Sequence, residues 1–282
     1  MTATTDAGRR FLKMHGLGND FVVLDGRARA PALSVAATRA LADRRTGVGF
    51  DQLITILPPK DPGSDALMTI HNADGSEVAA CGNASRCVAW LLMGESGRRQ
   101  VVLETAAGRL EAWTAGDGLV CVDMGPAGLD WRDIPLSKPA DTLHLPLAAG
   151  ALTDPVAVSM GNPHAVFFVA DAEAVDLARL GPALENDPLF PERANIEVVH
   201  LLAADRLRMR VWERGAGITP ACGTGACAVL VAAARRGLAG RRAEVVVDGG
   251  SLTIEWRDDG HVLMTGPVAL SFSGELDPAL LP

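Results

Sequence analysis

Two tetrapeptides, Cys81-Gly82-Asn83-Ala84 and Cys222-Gly223-Thr224-Gly225, limit what this chain can fold into more than any other feature. Each opens an apolar run with the character of a helix, and they lie 222 − 81 = 141 positions apart. Other polar residues recur at nearly the same interval. Gly18-Asn19 matches Gly161-Asn162 at 143, Gln52 matches Asn195 at 143, and Asn72 matches Glu213 at 141. A repeat of that length, with like residues at like places, predicts a duplicated domain. Each half then supplies one Asn near its start, one amide before a strand, one polar residue ending a strand, and one Cys-Gly at a helix start.

Hydrophobic patterning fills in this frame. Residues 21–24 read as a strand, 34–44 as a helix with Ser34 as its N-cap, and 53–57 and 67–71 as strands split by Pro58-Pro59-Lys60-Asp61-Pro62-Gly63. The run 87–93 is apolar nearly all round, the pattern of a buried helix. Strands are expected at 101–105, 110–113 and 119–123. Residues 125–155, rich in Pro, Gly and Asp, read as the crossing between domains. The pattern then restarts with a strand at 166–169, a helix at 175–184, strands at 196–202 and 207–211, and a buried helix at 225–236. Strands at 243–247, 252–256 and 262–265 close it. The domains are expected at residues 1–125, completed by 268–282, and at 126–267. A helix wrapped by short strands in each half makes two α+β domains related by a pseudo-dyad, with the cleft between them as the expected ligand site.

Composition narrows the function. At 282 residues, 48% hydrophobic and 21% charged, the chain reads as a soluble globular protein with room for two cores. A net charge of −8, 4% aromatic residues and no tyrosine argue against nucleic-acid and anionic-membrane partners. Residues 1–10 lack the apolar segment of a signal peptide, and no apolar run approaches the ~18 residues of a membrane span, so a cytoplasmic protein is expected. The five cysteines are spaced C-x5-C and C-x4-C around the two motifs, with Cys121 alone. That is neither a disulfide framework nor a structural zinc pattern, so no metal is expected. The Gly-rich stretches Gly16-Leu17-Gly18 and Gly47-Val48-Gly49 lack the context of a nucleotide loop.

The chemistry follows from where the two motifs sit. A cysteine at a helix N-terminus lies near about half a positive charge, which lowers a thiol pKa from about 8.5 toward neutrality. The unpaired N–H groups of the first turn can hold a carboxylate, and Gly82 and Gly223 let backbone approach it. Two such ends gripping one carboxylate would place sulfurs on either side of the adjacent α-carbon. One thiolate removes the α-proton and the other thiol returns a proton on the opposite face, which inverts the centre. Fixed N–H donors stabilise the charge delocalised into the carboxylate. No cofactor enters this scheme. Cys87, Cys121 and Cys227 read as small buried hydrophobes, His71 as a core histidine and Arg86 as structural. His164, after Gly-Asn-Pro at a matched turn, is expected near the cleft, as is Glu213-Arg214 at a strand end before Gly215-Ala216-Gly217.

These residues resemble one family. The anchors are Lys13-Met14-His15-Gly16-Leu17-Gly18-Asn19-Asp20-Phe21, Gly47-Val48-Gly49-Phe50-Asp51-Gln52, Asn72-Ala73-Asp74-Gly75-Ser76-Glu77, Cys81-Gly82-Asn83, Gly161-Asn162-Pro163-His164, Glu213-Arg214-Gly215, and Ala221-Cys222-Gly223-Thr224-Gly225-Ala226-Cys227-Ala228. In this order, from about Arg10 to Gly274, they are similar to diaminopimelate epimerase. The resemblance implies two pseudo-symmetric α+β domains, each a mixed sheet or partial barrel round a central helix. It also implies a cofactor-independent interconversion of LL- and meso-2,6-diaminopimelate, and a homodimer. By the same resemblance Cys81 and Cys222 are the acid/base thiols, and Gly82, Asn83, Gly223 and Thr224 the helix-end donors to the reacting carboxylate. Asn19 and Gln52 are further substrate contacts. Asn72, Asn162, Asn195 and Arg214 clamp the distal carboxylate, Glu213 meets an ammonium, and His164 with Glu213 tunes the thiols. The chain departs from the family pattern at Ala84, where Gly is usual, at Ile218, where Glu is usual, and at Pro220, where Leu is usual. Two rival readings share the motifs. One is a two-thiol racemase for proline-type imino acids, against which Arg214 argues, since a distal carboxylate calls for a bidentate cation. The other is a noncatalytic amino-acid-binding protein, which would need neither thiol.

Overall fold

The computed structural model describes residues 8–281, and they divide into two units. The first holds 8–122 and 267–281, and the second is Asp123–Gly266. In chain order the first contains β1 (Arg10–Gly16), β2 (Asn19–Asp25), α1 (Val35–Ala42), β3 (Gln52–Leu57), β4 (Ala66–Asn72), β5 (Glu77–Val78), α2 (Gly82–Ser96), β6 (Gln100–Thr105) and β7 (Gly108–Gly116). β8 (Leu119–Pro126) runs through the division. The second unit contains β9 (Ala148–Ala149), β10 (Leu152–Thr153), β11 (Val156–Ser159), β12 (Pro163–Phe168), α3 (Leu177–Glu185), β13 (Asn195–Ala203), β14 (Arg206–Glu213), β15 (Gly217–Ile218), α4 (Gly223–Arg235), β16 (Arg242–Val247), β17 (Gly250–Trp256) and β18 (His261–Pro267). β19 (Ala269–Glu275) returns to the first unit, antiparallel to β1.

The two units repeat one pairing scheme. In the first, β1 and β2 are antiparallel, β2 and β3 parallel, β3 and β4 antiparallel, β4 and β6 parallel, and β6, β7 and β8 antiparallel in turn. In the second, β11–β12, β12–β13, β13–β14, β14–β16, β16–β17 and β17–β18 follow the same order of directions. Even the register repeats: Phe21 lies opposite Gln52, and His164 opposite Asn195, each residue shifted by 143. Each unit is thus an α+β fold with a mixed sheet and few helices.

Each cysteine-headed helix is the buried one of its unit. In α4 every residue from 226 to 233 is 0% exposed, as an apolar run without a polar face requires. α2 is buried from Gly82 through Ala89, with Trp90 exposed on its outer side. α1 begins where Ser34 Oγ accepts from the Ala37 N–H at 3.0 Å. It stops at Ala42, short of the expected residue 44, because the Asp43 carboxylate accepts from the Arg45 and Thr46 N–H groups and turns the chain. α3 starts two residues later than expected, at the side-chain cap that Asp176 offers Arg179 N–H.

Residues 125–155 are not a linker. Ile134, Leu136, Leu145, Leu147 and Leu152 are buried in the core of the second unit with Phe167, Leu184 and Ile196. The Pro and Gly content there sets turns over a core. Strands β1, β11 and β19 go unread in the sequence: β1 and β11 lack a clean alternation of apolar and polar residues, and in β19 the alternation is confined to Leu270-Ser271-Phe272-Ser273. No helix among the described residues is long and apolar enough to cross a membrane.

Candidate active site

Each unit builds a polar cluster at the start of its buried helix. In the first, Cys81 is the N-cap of α2 with an extended backbone, φ −147° and ψ 109°, and its carbonyl accepts from both the N–H and the hydroxyl of Ser85. Its thiol points to Asn19 Oδ1 at 3.8 Å, and Asn83 Nδ2 donates to the same oxygen at 3.3 Å. Asn19 opens β2 after the tight turn at Leu17 and Gly18, both at positive φ. Its Nδ2 donates to Asp51 Oδ2 at 3.0 Å, so its oxygen is turned to the cysteine. Asp51 is held in turn by Asp20 N–H and Arg44. Burial opposes ionisation of Asp20, yet hydrogen bonds from Arg44 and Lys13 overcome it and hold that carboxyl well below its ordinary value. Gln52 and Asn72 face each other across β3 and β4, Gln52 Nε2 donating to Asn72 Oδ1 at 3.3 Å. Gln52 Oε1 and Asn83 Oδ1 are buried without a hydrogen-bond partner among the described residues, two acceptors that a donor on a ligand would satisfy.

The cluster of the second unit has the same frame and different chemistry. Cys222 is the N-cap of α4, 5% exposed, and its sulfur accepts from Gly225 N–H at 3.4 Å. Thr224 Oγ1 lies 3.5 Å from that sulfur and accepts from Asn162 Nδ2 at 3.4 Å. Asn162 Oδ1 meets His164 Nε2 at 2.9 Å, and His164 Nδ1 meets Glu197 Oε1 at 2.7 Å. His164 and Glu197 are both 0% exposed. Glu213, the last residue of β14, accepts from the Thr219 hydroxyl. Burial raises its carboxyl above the ordinary value, against the lowering effect of hydrogen bonds from Thr219 and Cys222. The Cys222 thiol is pushed well above its ordinary value, by burial first and then by the charges of Glu213 and Glu197; the hydrogen bonds of Thr224 and Gly225 offset only part of this. Asn195 is consumed by backbone: its Nδ2 donates to Pro163 O at 3.0 Å and its Oδ1 accepts from Arg214 N–H at 2.9 Å. Arg214 Nη1 donates to Glu192 O at 2.9 Å.

The structure therefore gathers Cys81, Gly82, Asn83 and Asn19 at one helix start, with the Gln52–Asn72 pair on the strands of that unit. It gathers Cys222, Gly223, Thr224, Asn162 and His164 at the other, with Glu213 beside Cys222 and Asn195 bracing Arg214. Cys87, Cys121 and Cys227 are buried, and burial pushes the Cys87 thiol up to about 12. His71, read as a core histidine, is instead half-buried and lines a pocket with Thr55 and Thr69. Arg86 is fully buried in α2 and its Nε donates to Pro267 O at 3.4 Å. Glu197 escaped the sequence reading. Its only signal is an acidic residue inside the apolar run Ile196-Glu197-Val198-Val199, a charge on a strand buried on both faces. Among the described residues, no group of three or more His, Cys, Asp or Glu side chains is arranged to hold a metal ion.

Comparison with known proteins agrees with this frame. The family model described as diaminopimelate epimerase matches residues 11–129 and 156–271. A diaminopimelate epimerase of Rhodospirillum centenum is 64% identical over 274 residues, covering 97% of this chain and 94% of that protein. One of Acidiphilium cryptum is 61% identical over 275 residues, covering 98% and 99%. Among solved structures, a predicted epimerase of Pseudomonas aeruginosa superimposes with a TM-score of 0.66 at 25% identity, over 95% of this chain and 99% of that one. A hydroxyproline epimerase of Agrobacterium vitis, with trans-4-hydroxy-L-proline bound, gives 0.66 at 18% identity over 97% and 94% and shares the fold.

Proposed function

Because the chain belongs to the diaminopimelate epimerase family, we propose that it interconverts LL- and meso-2,6-diaminopimelate, with Cys81 and Cys222 as the two proton carriers. The reaction serves lysine synthesis and supplies the diamino acid of the cell wall. It requires removal of a proton from an α-carbon and delivery of another to the opposite face, which takes two acid/base groups, one on each face. One observation carries the assignment of residues: the two thiols cap the two buried helices at matched places of a repeated fold, each beside unpaired first-turn N–H groups.

In the forward half of the reaction one sulfur, as thiolate, takes the α-proton. The carbanion's charge spreads into the neighbouring carboxylate, stabilised by the N–H groups of Gly82, Asn83, Gly223 and Thr224. The other sulfur, as thiol, returns its proton, and the two have exchanged states. Asn19 and Gln52 add polar contacts. Arg214, Asn72 and Asn162 hold the distal carboxylate, with Asn195 bracing Arg214 from within that clamp, while Glu213 meets an ammonium and, with His164, tunes the nearby thiol. Arg214 also separates this reading from an imino-acid racemase, whose substrate has no second carboxylate. We further propose a cytoplasmic homodimer.

Transfer of deuterium from heavy water into the α-position of diaminopimelate tests the proposal. Exchange is expected in the wild type and is expected to vanish in Cys81→Ala and in Cys222→Ala with circular dichroism unchanged. Full exchange in either variant removes the assignment of the thiols, and binding without exchange in the wild type would make the chain a binding protein.

A further inference from the structure

The repeat that makes the two clusters alike breaks behind the cysteines. With the 143-residue shift read from strand register, His164 corresponds to Phe21 and Glu197 to Ile54. Phe21 and Ile54 are each 0% exposed, so the first unit places two apolar side chains where the second places an imidazole and a carboxyl group. Burying such a pair is costly unless both members are satisfied, and the second unit keeps it at the one place where it reaches a reacting group.

The hydrogen bonds have a sense. Asn162 Nδ2 donates to Thr224 Oγ1, so Asn162 Oδ1 accepts from His164 Nε2–H. With that nitrogen protonated, the 2.7 Å contact between His164 Nδ1 and Glu197 Oε1 holds one further proton. Glu197 thus terminates a chain running through His164, Asn162 and Thr224 to the sulfur of Cys222. It also lies directly against the first turn of α4: a Cβ added to Gly225 would come within 2.8 Å of Glu197 Oε1 and 3.2 Å of Cys222 Sγ. Its second oxygen, Oε2, is buried with no hydrogen-bond partner among the described residues. At Ala84, the position of α2 that matches Gly225, a real Cβ sits fully buried.

We propose that Glu197 is a positioning residue for Cys222: it anchors His164 and sets a buried acidic group against the first turn of α4, so that Cys222 keeps its proton while its counterpart Cys81 gives one up. The inference rests on the reading of both cysteines as proton carriers. A helix N-terminus favours a thiolate at each cysteine. The His164–Glu197 pair shares one proton and is neutral overall, but its carboxyl end is the one set against the first turn of α4; together with Glu213 it opposes that field on one side only and so gives the resting protein one thiol and one thiolate. The burial and charge that hold the Cys222 thiol high point the same way. The titratable groups facing Cys222 are Glu197 on β13, His164 on β12 and Glu213 on β14. β11, also packed on α4, has no titratable residue. On β16, Glu244 is paired with Arg206 at 2.8 Å, and β17 contributes Glu255. On α4 itself, Arg235 is at the far end, bonded to Ala157 O and Thr142 Oγ1.

The test is the pH dependence of alkylation of each cysteine by iodoacetamide, read by peptide mass spectrometry on the intact protein. In the wild type the half-maximal pH is expected to be higher for Cys222 than for Cys81, and the reverse order overturns the proposal whether or not any variant folds. In Glu197→Gln, which keeps a hydrogen bond to His164 and loses the acid, the half-maximal pH of Cys222 is expected to fall by about one unit, a roughly tenfold faster reaction on the lower limb. Glu197→Asp is expected to restore the wild-type profile. A Glu197→Gln profile that overlays the wild type overturns the role of Glu197. Deuterium exchange into diaminopimelate by the same wild-type sample separates the two readings: absent exchange removes the proposed function, whereas exchange with unaltered alkylation removes only the role of Glu197.

Discussion

Asp20 shows how much a single side chain carries outside the reacting atoms. It accepts from Arg44 at 2.6 Å and 2.9 Å and from Lys13, which is only 7% exposed, at 2.5 Å. The same residue steadies Asp51, and through it the orientation of Asn19. Asp20→Ala would leave the Lys13 ammonium buried with only the Gly49 carbonyl, a loss of about 3 kcal/mol in urea unfolding. Since the folded-state carboxyl titrates below its ordinary 3.8, its contribution is complete above that pH and is lost as pH falls below it; the variant should lack this part of the acid limb. Cys87 acts at the other end of the scale. Its thiol, raised from 9.0 to about 12 by burial, keeps a proton that the unfolded chain releases. Stability is therefore whole below pH 9 and falls by about 1.4 kcal/mol per pH unit from there toward pH 12. Cys87→Ala is expected to cost about 1 kcal/mol at pH 7 and to flatten that alkaline slope by one proton, measured by urea unfolding at pH 7.5 and pH 10.

At the scale of the element, the two cysteine-headed helices are matched in position and unlike in their first turns. Gly225 has no room for a methyl group, since Glu197 and Cys222 occupy the space. Helix propensity alone would favour alanine there by about 1 kcal/mol. Gly225→Ala is instead expected to lower kcat/KM at least tenfold by displacing the Cys222 sulfur, while the reciprocal Ala84→Gly should cost about 1 kcal/mol of stability and leave kcat/KM within a factor of a few. Equal losses of activity in the two variants would show that the two first turns are interchangeable. The other departures from the family pattern fall on exposed backbone. Ile218, on β15, pairs with Trp212 of β14 and is 44% exposed, and Pro220 lends its carbonyl to Gly249 N–H at 2.8 Å.

For the whole molecule, the proposed homodimer is the expectation most open to direct measurement. Sedimentation equilibrium should return 2 × 29.4 = 58.8 kDa, and a mass of 29.4 kDa at micromolar protein would remove it. The duplication was legible because it is written in residue type and spacing. Gln52 with Asn195, Asn72 with Glu213 and Cys81 with Cys222 come out at the same strand ends and helix caps in both units, and Asn19, which opens β2, is matched by Asn162 one residue before β12. The buried helices were legible too, because a run with no polar face has no stable place in water. Residues 125–155 misled because turn residues look the same over a core as in a linker. Glu197 was invisible for a related reason: one carboxyl group in an apolar strand has no pattern of its own. Its meaning lies in His164, 33 positions away, and in α4, which tertiary packing alone brings to it. Residue type and spacing were enough for the repeat, the two helix-capping thiols and the family. Which thiol stands against a buried acid follows only from packing, because charge acts through space and low dielectric, and neither is ordered along the chain.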